Sequence, residues 1–213
     1  MITVHHLGIS QSERIVWLCE ELELPYELVR YDRDPVTRTA PADYKALHPF
    51  GTAPVIVDGN VTLSESAAIV EYICRRYAGG RLILGPEHPD FVDYLFWFHF
   101  ANGSVVPSIM MDLSALRLGV KPAPADAPSA LSRSNRAYDL IEDRLARATF
   151  FAGRDFTAAD IMMLFPLTTM RVFAPRDIAQ YPNLRTYLQR IGNRPAYRRA
   201  MNRADPDLPL QLG

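Results

Sequence analysis

The chain has 213 residues, 23 basic against 24 acidic side chains, a formal net charge of -1 and a hydrophobic fraction of 48%. Such a balance belongs to a folded globular chain and excludes a disordered or collagen-like one. The two cysteines, Cys19 and Cys74, are too few for a disulfide framework and too far apart for a C-x-x-C redox motif or a cysteine-rich zinc site, so a reducing, cytoplasmic setting is expected. At about 150 residues per domain, the length allows one or two domains. The charge leans towards two: residues 1–80 carry 7 basic and 11 acidic side chains, residues 81–213 carry 16 and 13. The longest uncharged apolar stretch, 161–170, is too short to span a bilayer and contains Pro166, and no basic-then-apolar leader opens the sequence.

Residues 2–7, Ile-Thr-Val-His-His-Leu, predict a strand ending in a loop at Gly8. Ile15, Leu18, Cys19 and Leu22 recur at helical spacing, which predicts a helix over 11–23 stopped by Pro25. A second strand is expected at 26–30, a polar loop at 31–41 and a short helix at 41–47. The apolar runs 54–57 and 61–63 flank Asp58-Gly59-Asn60, which is hairpin chemistry. Ala67, Ile69, Val70, Ile73, Cys74 and Tyr77 mark another helix, closed by Gly79-Gly80. The helix between the first two strands makes them parallel, and the hairpin adds an antiparallel pair. Gly85, Pro86 and Pro89 punctuate a linker over 81–89. Residues 90–213 show no strand alternation. An aromatic-rich helical stretch over 91–118 is expected to kink or divide at Pro107, with a loop at 119–128 and a helix at 129–148. Phe156-Thr157-Ala158-Ala159-Asp160 then reads as a capping box with a hydrophobic staple, and Pro182 and Pro195 open two short terminal helices. The expected fold is an α/β unit over 1–80 followed by an all-α unit over 90–213.

Three clusters in the first unit have both a bland and a chemical reading. Ser10-Gln11-Ser12-Glu13-Arg14 fits a capping box, or a helix start whose amides and serine hydroxyl stabilise an anion such as a thiolate. Gly51-Thr52-Ala53-Pro54-Val55 fits an ordinary loop proline, or a cis bond that turns the Ala53 backbone outward to pair with an extended peptide. Thr62-Leu63-Ser64-Glu65-Ser66-Ala67 fits helix capping, or a site where Ser66 and its amide hold a carboxylate while Glu65 takes an ammonium.

Taken together and in this order, these residues resemble the glutathione transferase family over essentially the whole chain. The resemblance implies a thioredoxin-like N-terminal domain followed by an all-α C-terminal domain. Glu65-Ser66-x-Ala68-Ile69 is similar to the family's γ-glutamyl-binding motif, and Ala53-Pro54 to its cis-proline dipeptide, which implies that Ala53 pairs with the cysteinyl backbone and that Thr52, Ala53 and Pro54 are glutathione-binding residues. Ser10, four residues before Arg14, resembles the activating serine of the serine-type, theta- and delta-like classes. With His5-His6-Leu7 and Trp17-Leu18 it looks most like a bacterial and fungal branch, and the 156–161 box resembles the family's signature in the helical domain. The sequence departs from the pattern at Thr52, where a basic residue is common, and at His48-Pro49-Phe50-Gly51, where Asn-Pro-x-Gly is usual; His48, Arg38 and Lys45 are the candidates for the glycyl carboxylate.

The function so implied is conjugation of the glutathione thiolate to small hydrophobic electrophiles, with glutathione as co-substrate and no metal. Alternatives are a glutathione-dependent peroxidase or dehalogenase on the same site, or a non-catalytic glutathione- or protein-binding module. Ile9, Phe100, Ser104 and Met111 are candidate walls of the electrophile pocket; plain core packing is the other reading of each. A homodimer is implied, with no nucleic-acid or membrane partner. The arginines at 185, 190, 194, 198, 199 and 203 read as solvated helix faces.

Overall fold

The computed structural model describes residues 1–120 and 133–213. Strand β1 (Ile2–Leu7) leads into α1 (Glu13–Leu22), β2 (Tyr26–Tyr31), α2 (Ala42–Lys45), the hairpin β3 (Val55–Asp58) and β4 (Val61–Ser64), and α3 (Ser66–Tyr77). The sheet order is β2-β1-β3-β4. β1 runs parallel to β2 with Val4 opposite Leu28, and antiparallel to β3 with Val4 opposite Ile56, as the crossover helix and the hairpin turn require. β1 is an inner strand buried on both sides, so two histidines, His5 and His6, lie inside it. Alternation sends Ile2, Val4 and His6 to one face and Thr3, His5 and Leu7 to the other. On the second face Leu7, Tyr44 and Val55 form a small core cluster, joined by Tyr31, Leu47 and Ala53.

Helix α1 begins at Glu13, two residues later than its apolar spacing suggests, and the expected Ser10–Glu13 capping box does not form. Ser10 Oγ is instead taken up by Leu7 O and Ser12. Nor does a side-chain cap open α3, whose preceding residue Glu65 adopts the left-handed region at φ 72°. The Thr157–Asp160 capping box is present: Thr157 Oγ1 accepts from Ala159 N at 3.3 Å and Asp160 Oδ2 from Thr157 N at 2.9 Å.

The remaining elements are helical. α4 (Phe91–Phe100) passes through a single π turn, Ala101–Val105, into α5 (Val106–Arg117). Pro107 sits in the first turn of α5, where its missing N–H costs no helix bond, so the stretch expected over 91–118 is two helices with the widened turn just before the proline. α6 (Arg133–Leu145), α7 (Ala158–Leu167), a 3-10 turn (Thr169–Val172), α8 (Pro182–Gly192) and α9 (Pro195–Ala204) complete the chain. Most of the loop expected at 119–128, from 121 on, and the first residues of the helix expected at 129–148, up to 132, lie outside the described residues.

By compactness the chain divides into Met1–Leu84 with Ile191–Leu210, and Gly85–Arg190 with Gln211–Gly213. Residues 191–210, expected in the helical unit, therefore stand with the first one. The reason is α9, which lies on α1: Trp17 and Tyr197 meet edge to face at 5.1 Å, Arg194 makes a forked pair with Glu21, and Arg199 and Arg203 both reach Glu20. No helix among the described residues is long and apolar enough to cross a membrane.

Candidate functional site

The turn from β1 to α1 is built around Ser10. Ile9 before it adopts a left-handed conformation at φ 53°, and its N–H donates to Asp205 Oδ1 at 3.1 Å. The Ser10 hydroxyl, nearly buried, donates to Leu7 O at 2.6 Å and lies 2.7 Å from Ser12 Oγ. Ser12 Oγ accepts from Leu7 N at 3.1 Å and stands 2.8 Å from His6 Nδ1, while His6 Nε2 stands 3.0 Å from Asp205 Oδ2. The carboxyl of Asp205 sits below its usual range. Burial alone would raise it, but the hydrogen bond and charge of His6, the Ile9 N–H and Arg30 outweigh that.

The start of α1 is bound to the start of α3. Arg14, fully buried, donates through Nη1 to Ser66 Oγ at 2.9 Å and to Gln11 Oε1. Burial lowers the Arg14 guanidinium to about 9, against the opposing pull of Glu13. Glu65, beside Ser66, is exposed. The Ala53–Pro54 bond is cis, and Ser64 Oγ donates to Pro54 O at 3.1 Å, which joins this turn to the strand leading into α3. Ala53 also packs on the Leu7 cluster. Ser10, Ala53-Pro54 and Ser66 thus occupy three connected turns of one unit. Thr52 is exposed beside the cis bond. His48 belongs to the preceding turn, where its Nδ1 accepts from Phe50 N at 3.3 Å and its carbonyl from Gly51 N at 2.8 Å.

The four residues expected to contact an electrophile line more than one cavity. Phe100, Ser104 and Met111 line one of about 380 Å³ in the helical unit, together with Pro107 and Leu140. Ile9 lines another, of about 270 Å³, in the first unit with Arg30, Asp32, Arg33, Arg38 and Asp205. Arg38, a candidate for the glycyl carboxylate, is therefore one of three arginines around this space. Arg33 among them is held by Gly8 O at 2.8 Å and Ile9 O at 3.3 Å.

Sequence reasoning singled out Ser10 and Ser66, named Gln11, Ser12 and His6 without giving any of them a role of its own, and missed Asp205. Gln11 and Arg14 had only their nearness in sequence, since Gln11 lies in the turn before α1 and not on its face. His6 had a weak signal, a polar residue on the inward phase of a buried strand. Asp205 had none, because its partner lies 199 positions away.

Fold and site define a class of protein: a thioredoxin-like βαβαββα unit with polar helix entries, followed by a bundle of helices. Residues 10–76 match the Glutathione S-transferase, N-terminal domain, and residues 105–195 the Glutathione S-transferase, C-terminal domain. Glutathione S-transferase 3 of Schizosaccharomyces pombe is 35% identical over 96% of this chain and 88% of its own. The crystal structure of a glutathione S-transferase from Actinobacillus pleuropneumoniae superposes with a TM-score of 0.85 at 32% identity, covering 96% of this chain and 93% of that one. A more distant relative, the disulfide-bond oxidoreductase YfcG of Escherichia coli, is 25% identical over 96% of both chains. The chain belongs to the glutathione S-transferase family.

Proposed function

We propose that the protein binds glutathione in its first unit and transfers it, as the thiolate activated by Ser10, to small hydrophobic electrophiles, in the manner of a serine-type, theta- or delta-like transferase. The observation that carries this reading is the position of the Ser10 hydroxyl, in the turn that opens α1 and one residue from Gln11, which shares Arg14 with Ser66. In this reading the Thr52-Ala53-Pro54 turn pairs with the cysteinyl backbone. Glu65 and the Ser66 hydroxyl and amide take the γ-glutamyl ammonium and carboxylate, and His48 serves the glycyl end. Phe100, Ser104 and Met111, which line the cavity of the helical unit, are the electrophile contacts of this reading.

The energetics support activation without a metal. A free thiol near pKa 8.5 needs about 2.7 kcal/mol of preferential thiolate stabilisation to fall by about two units. A charge-assisted bond from Ser10 contributes roughly 1.5–3 kcal/mol and the helix start roughly 0.3–1 kcal/mol. The thiolate must draw the Ser10 proton away from Leu7 O, so only the difference between the two acceptors counts. The sulfur then displaces a leaving group from an electrophilic carbon. A cytoplasmic homodimer is part of the proposal, and sedimentation at micromolar concentration checks the dimer.

The test is thiolate absorbance on adding glutathione, with turnover of an aryl halide, in wild type and Ser10→Ala. Thiolate formation and turnover that both collapse in the variant, with glutathione affinity within about threefold, support the reading. Unchanged turnover removes Ser10 from the mechanism. Binding without a thiolate band points to a binding module, and turnover restricted to peroxides or disulfides moves the activity to those acceptors.

A further inference from the structure

Only Gly8 and Ile9 separate the end of β1 at Leu7 from Ser10, and every backbone polar group of the pair is taken up. Gly8 N donates to Tyr31 O at 3.0 Å. Gly8 O and Ile9 O both accept from Arg33, through Nε at 2.8 Å and Nη2 at 3.3 Å. Ile9 N donates to Asp205 Oδ1 at 3.1 Å. Ile9 itself is left-handed, at φ 53°. That conformation suits glycine and is unfavourable for a β-branched side chain, so it persists only where the surroundings over-determine it. On the far side of Ser10, its carbonyl accepts from Glu13 N at 3.2 Å, which joins the serine to the helix start.

We propose that Arg33 is a positioning residue for Ser10: its guanidinium, with Asp205 on the other side of the Ile9 backbone, holds Ile9 left-handed and so sets where Ser10 stands. This rests on the glutathione reading above. Arg33 is itself held. Its third contact, Nη1 to Arg38 O at 3.0 Å, ties the guanidinium to the loop between β2 and α2. That loop is folded on itself: Asp34 Oδ1 accepts from Val36 N at 3.0 Å and Thr37 N at 2.7 Å, Asp34 N donates to Thr39 O, and Arg38 N donates to Asp34 O. The half-buried guanidinium is therefore a fixed fork on three backbone carbonyls, which a single ammonium on a flexible stem cannot span.

Without the fork, Ile9 is free to relax towards the right-handed or extended backbone that its side chain favours. Rotation at Ile9 turns the chain directly ahead of Ser10 and carries the serine hydroxyl with it. A catalytic group displaced by about 1 Å loses up to about 100-fold in rate. Ser10 is the catalytic residue of this reading; Arg33 touches neither sulfur nor acceptor and acts only through the Gly8–Ile9 backbone. A plain loop anchor would behave differently, since its loss lowers stability and leaves the sulfur untouched.

The test follows thiolate absorbance of bound glutathione against pH in the full-length protein, a readout that needs no acceptor. In wild type the bound thiol should titrate well below the free value of about 8.5. Arg33→Gln is expected to raise that titration by about one pH unit, and so to lower kcat with an aryl halide about tenfold near pH 6.5. Arg33→Lys keeps the charge but loses the fork, and should raise the titration at least half as far; it also serves should Arg33→Gln fail to fold. Adding Ile9→Gly to either variant supplies a residue that is left-handed without steric cost, and should bring the titration at least halfway back to wild type. An unshifted titration in both Arg33 variants, whatever their stability, overturns the proposal. So does a lysine variant that titrates as wild type, which would make charge alone the cause, and so does a shift that Ile9→Gly leaves in place. Ser10→Ala measured alongside separates this from the underlying reading: if that variant leaves the titration unshifted, or if wild type binds glutathione with no thiolate band, the Ser10 reading fails and this proposal with it.

Discussion

Arg14 Nη1 donates to Ser66 Oγ at 2.9 Å, so the first turn of α1 and the first residue of α3 are held by a single buried guanidinium. The same nitrogen serves Gln11 Oε1, next to Ser10. Arg14→Met should leave both oxygens without this donor and cost about 1–3 kcal/mol. Arg14→Lys keeps the charge but loses the fork. If the proposed function holds, both variants should raise KM for glutathione more than they lower kcat, because Ser66 loses its tie while the Ser10 hydroxyl keeps its bond to Leu7 O. Urea unfolding and steady-state kinetics check this; lower stability with an unchanged KM would make Arg14 a structural tie alone.

Glu20 joins Tyr26, Arg199 and Arg203, and its hydrogen bonds hold the carboxyl below the usual value although burial alone would raise it. A depressed folded value contributes stability that is present above the unfolded pKa and is lost as pH falls through the folded one. Glu20→Gln should therefore cost about 2 kcal/mol at pH 7 and converge on wild type towards pH 3, read as urea midpoints at the two pH values.

Asp160 has the opposite sign. Burial pushes its carboxyl up to about 6, against the hydrogen bonds from Phe151 N, Thr157 N, the Tyr187 hydroxyl and the Thr157 hydroxyl. A raised folded value means the contribution is greatest below the unfolded pKa near 4 and is lost as pH rises through about 6. Asp160→Asn, which turns an amide donor towards these donors, should be destabilised at every pH, and its deficit relative to wild type should be larger at pH 4.5 than at pH 7.5. A deficit that grows with pH would show that the hydrogen bonds outweigh burial.

Cys19 and Cys74 are buried, and burial pushes both thiols up to about 12. Neither should react with an aromatic disulfide over an hour in the native protein, while both should react in denaturant. Cys19→Ala with Cys74→Ala should keep the native kcat. Rapid labelling of the folded chain, or loss of turnover in the double variant, would place a protein thiol in the chemistry.

Local pattern carried most of the fold. The Asp58-Gly59-Asn60 turn, the crossover helix over Ile15–Leu22 spacing and the Thr157–Asp160 box each follow from a few adjacent residues, and each is present. The division at Pro107 was legible because a proline removes a donor, but the π turn ahead of it was not, since a widened turn has no residue code. At the helix start, a serine three residues before a glutamate spelled a capping box, yet Leu7 O and Ser12 compete for the Ser10 hydroxyl and win. Ser12 in turn meets His6, and His6 meets Asp205, which only the folded chain brings near. Long-range polar partners have no periodicity to read.

Residues Ile191–Leu210 close the first compact unit although everything from Gly85 to Arg190 separates them from it in sequence. Synthesis runs from one end, so the sheet emerges from the ribosome long before the helix that covers Trp17 and the carboxylate that holds Ile9. Through that interval the exposed face of α1 has no partner of its own, and the turn around Ser10 lacks its anchor. The turn around Ser10 can take up its final geometry only after α9 and Asp205 have been made.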